Sequence, residues 1–110
     1  MSRGVAFLIL LFCAFVEAAG DALIRKGIHT PAFLQRLAFF VLGAAALFAY
    51  GWLVNRPPWS FGSLLGVYVT LFFVVAQLVA FVAYGERPGA PILVGGTLIF
   101  GGGLLITFWR

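Results

Sequence analysis

The chain has 110 residues, 64% of them hydrophobic and only 9% charged, with a mean hydropathy of +1.14. That balance excludes a soluble globular domain and leaves room for about four membrane spans of roughly 20 residues joined by short connections. Seven Lys and Arg against three Asp and Glu give a formal charge of +4, but they scatter near span ends without a basic stripe, so the expected counterpart is anionic membrane lipid, not nucleic acid.

Residues 4–24 read as the first span, which is expected to stop at Arg25, Lys26 and Gly27, a basic pair followed by the residue that most readily ends a helix. The stretch up to Ala19 also has features of a secretory signal, with Arg3, an apolar run and small residues around Ala18. A cut there would fall beside Glu17, and the apolar pattern continues to Ile24, which favours a span. Cys13 is the only cysteine, so no intrachain disulfide can form, and it reads as a small packing residue.

Thr30 is the expected cap of a second helix, with Pro31 at its first position and an apolar run over 32–54 in which Arg36 is close enough to the end to snorkel. Asn55, Arg56, Pro57 and Pro58 break it. The third span is predicted over 60–84, with Gln77 as a deep polar group suited to an interhelical hydrogen bond. Gly85, Glu86, Arg87, Pro88 and Gly89 then form a tight polar turn before a fourth span over 90–109. Trp52, Trp59, Tyr84 and Trp109 fall at the interfaces, where an apolar ring with a polar tip suits the headgroup region. Short connections make consecutive spans antiparallel neighbours. The expected fold is therefore all-α, a single four-helix transmembrane domain over 1–110 in the inner (cytoplasmic) membrane.

Four spans place the first and third connections on one side of the membrane, and the second connection with both termini on the other. Arg25, Lys26, Arg36 and Arg87 lie on the first side and Arg3, Arg56 and Arg110 on the second. Orientation follows an excess of Lys and Arg, and so near a balance is compatible with insertion both ways up. Alternatively, Arg25 and Lys26, adjacent at a span end, set a single orientation.

Glu17 is the residue that most needs a reason. A carboxylate near the middle of a span costs on the order of 3 kcal/mol on insertion scales, so such a group faces a protein interior or a watery cavity and handles protons, ions or substrate. On a helix it shares a face with Cys13, Ala14, Gly20 and Asp21, whose small or acidic side chains let a second helix or a ligand approach. Asp21 has two readings: a salt bridge with Arg25 four residues on, which is the expectation, or a second acid on the path to Glu17. Gly95 with Gly102, and Gly96 with Gly103, repeat at heptad spacing along the fourth span and form a smooth stripe for helix contact. His29 is alone in a connection, and no Ser, His and acid combination can be assembled. No metal, cofactor or catalytic role is expected, and the chain does not read as an enzyme.

Two stretches together resemble the small multidrug resistance family, four-helix members of the drug/metabolite transporter superfamily. Glu17-Ala18-Ala19-Gly20, followed by Leu23 and Arg25, is similar to that family's membrane glutamate, its glycine three residues later and its basic exit. Gly85-Glu86-Arg87-Pro88 to Pro91, then Gly95 and Gly102, resembles the loop and glycine heptad by which its fourth helices dimerise. The resemblance implies an antiparallel homodimer that exports a small or quaternary cation against protons, with Glu17 of both copies at one site, Gly95 and Gly102 packing the dimer, and Tyr68 where the family commonly has a tryptophan. Thr70 and Phe72 stand where glycines normally loosen the third helix, Asp21 replaces a small hydroxyl residue, and Tyr50 lies closer to the exit of its span than the family's mid-membrane tyrosine. A lipid-linked substrate flippase subunit and an accessory subunit of a larger membrane complex are the alternatives.

Overall fold

The computed structural model describes residues 2–109. It is all-helical, with α1 (Arg3–Ile28), α2 (Phe33–Val54), α3 (Phe61–Tyr84) and α4 (Ala90–Phe108). Each of the four is long and apolar enough to cross a membrane, as expected of a multi-pass membrane protein. Arg110, which enters the charge balance, lies outside the described residues.

The helix ends differ from expectation where tertiary packing intervenes. α1 runs to Ile28, a turn past the expected stop, because Gly27 is not a terminator here. It is buried under α2, where an added Cβ would stand 2.6 Å from the Phe40 ring. Thr30 closes α1 instead of capping α2: its hydroxyl donates to the Lys26 carbonyl at 2.6 Å, while Ala32 occupies the α2 N-cap without a side-chain hydrogen bond. At the far end of α3, Gly85 adopts φ +65°, which only glycine reaches without strain. The Gly85 N–H bonds to the Phe81 carbonyl at 3.0 Å and the Glu86 N–H to that of Ala80 at 3.1 Å, a Schellman stop that turns the chain sharply at Glu86.

The helices pack in the order α2, α1, α3, α4, since α1 touches α2 and α3 while α4 touches α3 alone. The molecule is accordingly a slab, 52 × 35 × 19 Å. Between α1 and α2 the contacts run antiparallel: Gly20 meets Leu47, Ile24 meets Gly43, and Gly27 meets Phe40. The backbones come close enough that a Cβ at Gly43 would stand 3.0 Å from the Gly20 carbonyl oxygen, an approach that small residues permit in lipid. The core lies mainly between α1 and α3, where Leu10, Cys13, Ala14 and Ala18 are buried with Leu64, Val67, Tyr68 and Val75. Trp59 packs edge-on against Phe7, 5.6 Å between centroids, and so ties the second connection to the start of α1.

On α4 the glycine stripe divides. Gly96 and Gly103 face α3, against Phe73 and Thr70, whereas Gly95 and Gly102 have no atom within 4 Å of an added Cβ. Thr70 adds a hydroxyl bond to the Ile99 carbonyl at 3.4 Å. Gln77, expected to bridge helices, makes no side-chain hydrogen bond among the described residues and lines the groove between α3 and α4. Overpacking a close helix contact costs about 1–3 kcal/mol. Gly103→Leu should therefore lower the thermal unfolding midpoint of the monomer in detergent, while Gly102→Leu, whose added Cβ meets nothing within its own chain, should not disturb the packing of the monomer.

Candidate functional site

Glu17 lies near the middle of α1, half-buried, and its Oε2 accepts a hydrogen bond of 3.0 Å from the Tyr68 hydroxyl of α3. Tyr68 itself is buried, with only 3% of its surface exposed, so the donor is held by its surroundings. On one side its ring stacks on Tyr50 of α2, 5.4 Å between centroids and 28° between planes. On the other it stacks on Phe72, four residues along the same face of α3, at 6.0 Å and 27°. Two rings, one from α2 and one from α3, thus fix one phenol, which in turn fixes one carboxylate.

Tyr50 is the residue that reading the sequence misplaced. Counted from its own helix exit it looks peripheral, only four residues from the end of α2 at Val54. The pairing of Gly27 with Phe40, Ile24 with Gly43 and Gly20 with Leu47 continues, one step further, to Glu17 with Tyr50. The N-terminal part of α1 projects past the end of α2, so the exit of one helix meets the centre of the other. The spacing of Gly20, Gly27 and Gly43 was the available signal. Phe72, likewise not singled out as a site residue, completes the stack because Tyr68 and Phe72 are one helical turn apart.

Asp21 does not pair with Arg25. The one ion pair among the described residues joins Arg25 to Glu86, 3.9 Å apart, and the Arg25 guanidinium also lies over the Tyr84 ring, 4.7 Å from its centroid. Tyr84, expected as a headgroup anchor, instead reaches across to α1, where its hydroxyl donates to the Ala22 carbonyl at 3.3 Å. A ring face and a carboxylate together outbid a single exposed pair on one helix, worth only about 0.3–0.5 kcal/mol. Asp21 is exposed and borders a cavity of about 170 Å³ between α1 and α3, with Ala18 and Phe72 at its inner wall and Arg25, Tyr84 and Glu86 at its mouth.

A carboxylate beside a cluster of aromatic rings suits a cation chemically, since the acid supplies charge and an accessible ring face can add its negative quadrupole. Glu17 and Tyr68 are joined across α1 and α3, Asp21 borders the neighbouring cavity between the same two helices, and Gly95 and Gly102 lie away from both on the outer helix. No family model, no curated protein and no solved structure matches this chain.

Hydrogen bonds to charged groups contribute about 1.5–3 kcal/mol. Tyr68→Phe, which removes only the donor, should destabilise the protein by up to that amount in detergent unfolding. In a Glu17→Gln background, where the acceptor is neutral, the same change should cost less.

Proposed function

We propose that this chain is a proton-coupled membrane transporter that exports a small or quaternary cation, in the manner of the small multidrug resistance proteins it resembles. The observation that carries the reading is the Tyr68 hydroxyl bonded to Glu17 at 3.0 Å within a stack of aromatic rings. A carboxylate set at that depth can hold a proton or a cation but not both, and this competition is the elementary step of antiport. The working unit is an antiparallel homodimer in the cell inner membrane, with Glu17 from both copies lining a shared midplane site. Alternating access then follows as the two copies exchange inward- and outward-facing conformations, as in inverted-repeat transporters. The near balance of positive charge across the membrane and the open Gly95 and Gly102 face of α4 support that arrangement.

A second reading, a subunit of a lipid-linked substrate flippase, draws on the groove of about 410 Å³ between α3 and α4, lined by Phe73, Leu78 and Phe100 with Gln77 and Thr97. Such a groove suits a hydrocarbon passenger with a polar link. Co-purification separates the two, because the flippase reading requires a heteromer with other lipid-pathway proteins and the antiport reading a homodimer.

The direct test is proton release. Adding tetramethylammonium and larger quaternary ammonium ions to weakly buffered, detergent-solubilised protein should acidify the solution with the parent chain. Glu17→Gln should give no such signal, and release that persists in the variant contradicts the assignment of Glu17.

A further inference from the structure

We propose that Asp21 is an outer cation-binding residue on the path to Glu17, and that Tyr84 and Glu86 keep it available by holding Arg25 away from it. The ligand's identity rests on the transport reading above; the restraint on Arg25 does not.

The starting point is a pairing that does not form. Asp21 and Arg25 are four residues apart on α1 with the acid nearer the N-terminus, the orientation in which helical ion pairs are most favourable. Left to themselves they would join, and the protein's own guanidinium would occupy the acid. Asp21 instead makes no ion pair or side-chain hydrogen bond among the described residues, because Arg25 lies over the Tyr84 ring at 4.7 Å and 3.9 Å from the Glu86 carboxylate. Of the two competing groups, Tyr84 is held by its side chain and Glu86 by its backbone position. Tyr84 is pinned by its hydroxyl bond to the Ala22 carbonyl at 3.3 Å, and Glu86 follows directly on the left-handed Gly85 turn. The pull on Arg25 therefore comes from a pinned ring and from an exposed carboxylate placed beside it by the turn.

The space beside Asp21 is also built. The cavity of about 170 Å³ is lined along its length by alanines, Ala18 and Ala22 from α1 and Ala76 and Ala80 from α3, whose short side chains leave the volume open. Its inner wall includes Ala18, the chain neighbour of Glu17, and Phe72, which stacks on Tyr68. The charged groups around Asp21 are Arg25 and Glu17 on its own helix and Glu86 from the connection after α3. With Arg25 engaged by Glu86, the cavity offers an incoming cation one carboxylate, Asp21, at its wall, and Glu17 stands one helical turn along α1, beyond the cavity lining and bonded to Tyr68. Attraction of oppositely charged ligands by such a lined cleft is strongest where its walls are apolar. Asp21 also favours compact or highly charged cations over bulky aromatic ones, since the cavity is small.

The test compares the parent, Glu86→Gln, and Glu86→Gln combined with Arg25→Gln in detergent micelles. Two quantities are read: the NMR resonance of the Asp21 side-chain carboxyl carbon, which needs no ligand, and the affinity for tetramethylammonium by calorimetry. Glu86→Gln should let Arg25 swing onto Asp21, shift its resonance, and weaken binding about two- to fivefold, the scale of an exposed ion pair. Adding Arg25→Gln should return both toward the parent, and Asp21→Asn should weaken binding when residue 86 is Glu but matter less when it is Gln, because Arg25 then already occupies the acid. An Asp21 resonance indifferent to Glu86→Gln, or a double variant no better than the single one, overturns the proposal. If the resonance responds as described while the parent binds no cation, the transport reading and the ligand role of Asp21 both fall, and the restraint on Arg25 alone survives.

Discussion

The hydrogen bond from Tyr68 to Glu17 is the constraint around which the other helices are arranged. A carboxylate in the middle of an apolar helix has no acceptable place against lipid, so α1 must be central, covered by α2 on one side and α3 on the other. The donor must also be held at the right depth, and this is what the stack of Tyr50, Tyr68 and Phe72 provides. Lipid contributes little hydrophobic drive between helices, so the glycines of α1 and α2 bring the backbones close enough for dispersion to act. Packing and chemistry here share the same residues: Gly20, Gly27 and Gly43 set the register that makes Tyr50 level with Glu17.

The slab shape has a further consequence. α4 contacts α3 alone, through Gly96 and Gly103, and leaves most of its surface, including Gly95 and Gly102, uncovered. The outer helix thus carries two glycine rows, one packed against α3 and one open. The carboxylate site is similarly one-sided, with Glu17 half-buried between α1 and α3 and rings contributed by α2 and α3 only.

Much of the fold was legible in the sequence because hydropathy and helix-stop residues are local. The four apolar runs, the break at Asn55 to Pro58 and the turn at Gly85 all appear where composition placed them. Glu17 was legible for the same reason, since a carboxylate in an apolar run needs no partner to be conspicuous. What escaped depends on which helices meet. Gly27 looked like a stop and is a contact; Thr30 looked like the start of α2 and closes α1. Arg25 looked paired with Asp21, four residues back on its own helix, and is drawn instead to Tyr84 and Glu86, from the end of α3 and the connection that follows it. Tyr50 looked peripheral because depth was counted along its own helix, and only the antiparallel register with α1 brings it to the centre.

The central claim is that one carboxylate, Glu17, exchanges a proton for a cation across the membrane. It is tested most directly by reconstituting the protein into sealed vesicles and imposing a proton gradient while following labelled tetramethylammonium. The account predicts gradient-driven uptake by the parent chain and none by Glu17→Gln, with Tyr68→Phe impaired but active. Uptake by Glu17→Gln that still follows the proton gradient would contradict it.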